Sequence, residues 1–209
     1  MSPLEIIALA ASTSLLAGWR LYLVTLVTGL AMKFGYIGIP EHLHALDVLA
    51  NPWVIGAAGV GTFAEFFADK IAWVDSAWDA VHSFIRPLGG ALLSLAIVDA
   101  ADPAWQIGAF LLGGGAAFVA HAGKAGARTL VNASPEPFSN IAVSTMEDVA
   151  TGGLLALAIA NPIAAALVAA CLVVLSIWLV VAARRAIKGF LDKVAPPRPM
   201  KDVTPPTAP

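Results

Sequence analysis

The stretch "AALVAACLVVLSIWLVVAA", from Ala165 to Ala183, contains no charged side chain. A helix rises about 1.5 Å per residue, so about 20 apolar residues cross the hydrocarbon layer of a bilayer. Apolar stretches of this kind recur along the whole 209-residue chain. A water-soluble domain could not hide so many of them in one core. The charge content agrees: 12% of the residues are charged, where soluble domains carry about a quarter. Most of the surface must therefore face lipid, and the bilayer is the principal partner. The expected fold class is an all-α polytopic membrane protein with about six hydrophobic helical segments.

By that ruler the segments fall at 4–33, 53–72, 84–99, 104–125, 148–161 and 163–184. The first is too long for one upright helix, and its "STSLLAGWR" invites a break or kink. The fifth, "DVATGGLLALAIA", is short and reads as a half-helix or a deeply sunk one. Residues 1–190 form a single transmembrane domain in this reading. The tail 195–209, "APPRPMKDVTPPTAP", is rich in proline and is expected to be disordered. Arg20 interrupts the first apolar stretch and no basic region precedes it, so this stretch is expected to remain in the mature protein.

Basic residues set the expected orientation. Arg184 and Arg185 follow the last segment and place the C-terminus in the cytoplasm. The connections carrying Lys70 and Lys124 then face the same side, and six crossings bring the N-terminus there as well. Lys33 is the one dissenter. The expected location is a bacterial inner membrane, crossed several times.

The net charge of −2 gives no reason to expect a nucleic-acid partner. The single cysteine, Cys171, has no partner within the chain and reads as a small lipid-facing or packing residue. A homo-oligomer is neither required nor excluded by the composition.

"RPLGGALLSLAI" and "EDVATGGLLALAI" end almost alike, and a glycine-rich apolar segment precedes each. Two short repeat units, about 53–99 and 104–161, are therefore expected. Internal repeats of this type are common in secondary transporters.

The informative residues are the charges set into this background. In "FAEFFADKIAWVD", Glu65 and Asp69 are four apart and share one helical face. Ionisable groups at membrane depth are costly unless paired or hydrated. The two carboxylates are candidates for an ion or proton pathway, or at most for a hard-cation site with oxygen ligands. Lys70 beside them is explained by topology alone. Asp75, Asp79, His82 and Arg86 form one stripe, with Val74, Trp78, Val81 and Ile85 opposite. That pattern predicts an amphipathic interfacial helix feeding the third segment and able to gate the Glu65/Asp69 face. His121, Lys124 and Arg128 form a basic stripe, and Ser144, Glu147 and Asp148 follow it. With Arg20, these groups can pair across the repeat interface. Glu65, the acid furthest from the interfacial Trp73, is the residue expected to carry the function. No motif of a metallohydrolase, serine hydrolase, nucleotide-binding loop or paired-cysteine site is present, so neither catalysis nor a cofactor is expected. Two readings stay open: a secondary transporter or channel-like protein for a small cation or proton-coupled solute, and a non-catalytic scaffold with structural salt bridges.

"AGWRLYLVTLVTGLAMKFG", "EFFADKIAWVDSAWDAVHSFIRPLGGALL" and "SNIAVSTMEDVATGG" together resemble the bacterial membrane-protein family catalogued as domain of unknown function 4126. The resemblance runs in family order to about Ile187. It implies a membrane location and no particular activity. It marks Arg20, Glu65, Asp69, Lys70, Asp75, Arg86, Lys124, Arg128, Glu147 and Asp148 as motif positions. Ala72 stands where the family pattern suggests proline.

Overall fold

The computed structural model describes residues 2–36, 44–98, 102–132 and 137–194. Every regular element among them is helical: α1 (Pro3–Lys33), a 3-10 turn (His44–Ala50), α2 (Pro52–Ala68), α3 (Ala72–Val98), α4 (Pro103–Asn132), α5 (Pro137–Ala160) and α6 (Pro162–Val194). Proline opens α1, α2, α4, α5 and α6, where a missing N–H costs nothing. The preceding side chain caps several of these helices. Asn51 accepts from the Trp53 N–H at 2.8 Å, Asp102 from Ala104 at 2.7 Å and Asn161 from Ala164 at 3.1 Å. Ser2 and Glu5 form a capping box on α1.

Among the described residues, four helices are long and apolar enough to cross a membrane: α1, α3, residues 103–129 of α4 and 138–160 of α5. Residues 52–68 and 162–175 are shorter apolar helices. Side chains are distributed in the reverse of a soluble protein. Phe84 is 84% and Leu112 74% exposed, while Arg20 and Arg86 are fully buried. Such a surface is stable only against lipid, and the chain is an all-α membrane protein.

Two expected segments lengthen. The fifth begins at Pro137, so α5 is a full-length helix and not a half one. The third begins at Ala72, because the stripe of Asp75, Asp79, His82 and Arg86 continues without interruption into the apolar half of α3. That stripe was expected to be the polar face of an interfacial helix. It is buried instead, and Val81 and Ile85 on the other side are exposed. The helix is amphipathic but inverted, since its polar groups find charged partners inside and lipid lies outside.

The break expected in the first segment falls at Arg20, whose backbone (φ −143°, ψ 72°) leaves the helical region. The contacts on either side show what it does. After the break Tyr22 packs on Gly61, Leu26 on Gly59 and Gly29 on Ile55, climbing α2 away from Asp69. Before the break Gly18 meets Ala117 and Ala120 of α4, and the Ser14 hydroxyl donates to the Gly90 carbonyl of α3 at 3.0 Å. Gly90 lies one turn beyond Arg86, so this arm also climbs away from the charges. Both arms of α1 therefore lead to one end of the bundle, with Arg20 at the apex. The N-terminus and Lys33 share that end. α6 passes the apex, with Ala169 and Val173 beside Leu16 and Trp19, and runs towards the other. α1 therefore doubles back on itself and does not run straight through the bundle.

Small residues allow this packing. A Cβ at Gly18 would strike the Ala117 carbonyl, one at Gly90 the Ala117 side chain, and one at Gly113 the Ser94 side chain and Gly90 carbonyl. Gly56 and Gly115 face open space. The tail beyond Val194 lies outside the described residues.

Candidate functional site

The charges gather where the ends of α2 and α4 and the first turns of α3 and α5 meet the apex of α1. Asp69, which ends α2, is fully buried between Arg20 and Lys124. Arg20 pairs with Asp69 and reaches α5, with Asp148 at 2.9 Å, Glu147 at 3.6 Å and the Ser144 carbonyl at 3.2 Å. Lys124 lies 3.2 Å from Asp69 and 3.6 Å from Glu147, and it donates to the Trp19 carbonyl at 3.2 Å. Backbone groups beside a helix break cannot be left bare at membrane depth. Lys124 meets that need at Trp19.

Arg128 joins three helices. It holds both oxygens of Asp75 at 3.1 Å, donates to the Asn140 carbonyl at 3.2 Å, and donates to the backbone carbonyl of Asp69. Asn132, one turn further along α4, donates to Asp75 at 2.6 Å. Lys70 lies at the edge. Its side chain is 20% exposed, 3.6 Å from Asp148 and 3.5 Å from the centre of the Phe66 ring. This first group thus sets four cations (Arg20, Lys70, Lys124, Arg128) against four carboxylates (Asp69, Asp75, Glu147, Asp148).

The second group is differently proportioned. Arg86 holds Glu65 at 2.5 Å and Asp79 at 3.0 Å, one cation between two carboxylates. The remaining neighbours are histidines, and a neutral tautomer of each satisfies its hydrogen bonds. His82 donates from Nδ1 to the Trp78 carbonyl at 2.8 Å, leaving Nε2 to accept from the Tyr22 hydroxyl at 3.0 Å. His121 Nδ1 accepts from Arg86 at 2.7 Å, so its Nε2 carries the proton towards the Asp79 carbonyl and the Ser83 hydroxyl, each at 3.1 Å. Glu65 Oε2 is buried and accepts no hydrogen bond. The group is left with one carboxylate in excess.

The family model described as "Domain of unknown function (DUF4126)" matches residues 7–182. The chain belongs to this family. No curated protein and no solved structure matches it. The matched span contains every charge of both groups.

Among the described residues, two openings reach these charges. A groove of about 370 Å³ runs between α1, α2 and α5, with Arg20, Glu65 and Asp148 among its lining. A polar cleft of about 180 Å³ lies between the start of α3 and the end of α4, lined by Asp75, Asp79, Ser76, Ser83, Thr129 and Asn132, among others. Ion pairs connect the two. One series is Asp79, Arg86, Glu65; the other is Asp75, Arg128, Asp69, Arg20, in which the link from Arg128 to Asp69 is a hydrogen bond to the backbone carbonyl and not an ion pair.

Most of the expected residues therefore meet. Glu65 and Asp69 do not act as a pair, since one binds Arg86 and the other Arg20 and Lys124, so no shared cation site forms between them. Among the described residues no cluster of three or more His, Cys, Asp or Glu side chains could hold a metal. Arg184 and Arg185 are exposed and take no part. Sequence reasoning missed Tyr22, Asn132 and Asn140. Asn132 continues the Arg128 stripe at four residues and could have been found, whereas nothing in the pattern marks Tyr22 or Asn140.

Proposed function

We propose that this member of the family moves a small cation, or a solute coupled to protons, across its membrane through the charged half of the bundle. The observation that carries the reading is the broken helix: α1 folds back at Arg20, and its apex joins the buried ion pairs that link the groove to the cleft. Discontinuous helices with charged breaks near the bilayer midplane are the way many secondary transporters build a site. Residues 1–190 act as one domain in this proposal. The α2–α3 and α4–α5 hairpins are two parallel copies of one unit, supported by the meeting of both charged ends at one place.

The basic end of the bundle, with Lys70, Lys124, Arg128, Arg184 and Arg185, faces the cytoplasm of a bacterial inner membrane in this reading. The doubling of α1 then puts the N-terminus on the opposite side. Reporter fusions test this. Those at the N-terminus and at residue 101 should report one side, and one after residue 190 the other. An N-terminal fusion agreeing with the one after 190 would mean that α1 crosses.

The balanced first group favours a second reading, a scaffold held by structural ion pairs. Uptake by purified protein in liposomes, over a panel of cations with and without a pH gradient, separates the two readings together with a charge swap. In a transporter the double exchange Glu65→Arg/Arg86→Glu leaves a folded, inactive protein. In a scaffold it restores what each single change destroys.

A further inference from the structure

The groove between α2 and α5 is open along its side to the region that lipid occupies. Of its lining, Phe66, Val149 and Gly152 are exposed, and Leu23, Thr62 and Phe66 give it largely apolar walls. Among the described residues α2 and α5 make little direct contact, whereas α1 packs against both and closes the back. A space of about 370 Å³ is in the range of sites for small organic ligands, at roughly 300–1,000 Å³. Its charged end is unusual. Asp148 stands partly exposed, Glu65 is buried with an unpartnered Oε2, and Arg20 is occupied by Asp69 and Asp148. Glu65 shares Arg86 with Asp79, so this group carries one negative charge more than its cation balances, and Glu65 brings that surplus to the groove.

We infer that the groove binds the head of an amphiphilic organic cation, an ammonium carrying an apolar chain, which enters sideways from the bilayer. The ammonium lies against Glu65 and Asp148 and supplies the missing positive charge. The chain lies along Leu23, Phe66 and Val149 and remains in contact with lipid. An anionic amphiphile of the same length meets surplus negative charge, because the guanidinium of Arg20 already has its carboxylates. The inference names a substrate class for the transport reading and rests on that reading for its role. Binding itself is measured without transport.

Gly152 provides the sharpest variant. It lines the groove, and a Cβ added there meets no atom within 4 Å. Gly152→Leu fills the space without touching an ion pair. The test is equilibrium binding of octylammonium to the purified full chain in nanodiscs of neutral lipid, with octanoate as the opposite charge. Octylammonium should bind saturably and octanoate should not. Gly152→Leu should weaken binding at least tenfold with the melting temperature unchanged. Glu65→Gln should weaken it about as much, and Asp148→Asn less. Equal binding of octanoate, or octylammonium binding untouched by Gly152→Leu and Glu65→Gln, would overturn the inference. Binding that follows the expected pattern in a protein with no uptake activity would uphold the site and remove the transport reading alone.

Discussion

Around Asp69 four cations meet four carboxylates, whereas around Arg86 a single cation meets two. Both groups are buried in the same half of the bundle and use the same side-chain types. At membrane depth, charge that is not neutralised by a partner is expensive, so the two groups carry different costs. The first is closed. Its ion pairs join α1, the end of α2, α3, α4 and α5, and its guanidinium groups also take the Ser144, Asn140 and Asp69 carbonyls. The second is open by one charge and lies beside the groove. A chain selected only for a durable bundle would have no reason to retain the excess carboxylate. The difference suggests that the closed group holds the fold and the open group is kept for something that arrives.

One isosteric change applied to each group tests this division. Asp69→Asn leaves Arg20 and Lys124 facing an amide and gives the closed group a net positive charge. Removing one member of a buried pair costs about 3–5 kcal/mol, and this variant should show the largest loss of stability on unfolding in detergent. A loss below about 1 kcal/mol would mean that the closed group is hydrated and structurally idle.

The open group makes a sharper prediction, because its members should be strongly non-additive. Glu65→Gln leaves Arg86 with Asp79, and Asp79→Asn leaves it with Glu65. Each single change produces a balanced pair, so each should cost no more than about 1 kcal/mol, the scale of one exchanged hydrogen bond. The double variant strands Arg86 in the core and should cost nearly as much as Asp69→Asn. A double-mutant cycle reads the coupling. Simple additivity would show that Arg86 is compensated elsewhere, and the distinction between the groups would disappear. Glu65→Gln should nevertheless abolish uptake while the protein stays folded.

The contrast also marks what was legible in the sequence. Sparse charge at helical spacing identified nearly every residue of both groups, because an ionisable side chain in an apolar stretch has few reasons to be there. The break at "GWR" was visible for a similar reason: small residues beside a charge permit it. The fold-back of α1 was not legible. It depends on Ser14 finding Gly90 and on Gly18 finding Ala117, contacts between residues with no local signal for each other. Pairing was hidden as well, since Glu65 and Asp69 share a helical face but are divided between Arg86 and Arg20 by helices distant in sequence. The Asp75 stripe was misplaced at a water interface because amphipathicity reports that a face is polar. It does not say whether water or buried counter-charges satisfy that face.

The smallest effect concerns the edge of the closed group. Lys70→Ala also unbalances that group, which then has the same net charge as the open one. A count of charges alone would predict a loss like that of Asp69→Asn. Position argues otherwise. Lys70 and Asp148 are 20% and 24% exposed, and their charges are 3.6 Å apart. Partial hydration reduces such a pair to about 1 kcal/mol or less, and the contact with the Phe66 ring adds about 0.5–1 kcal/mol. Lys70→Ala should therefore melt close to the parent protein, while Lys124→Ala, which removes a cation that is only 1% exposed, should not. If the two alanine variants lose equal stability, Lys70 is buried as effectively as Lys124 in the membrane-embedded protein. The boundary of the closed group would then have to be redrawn to include the Phe66 face of α2.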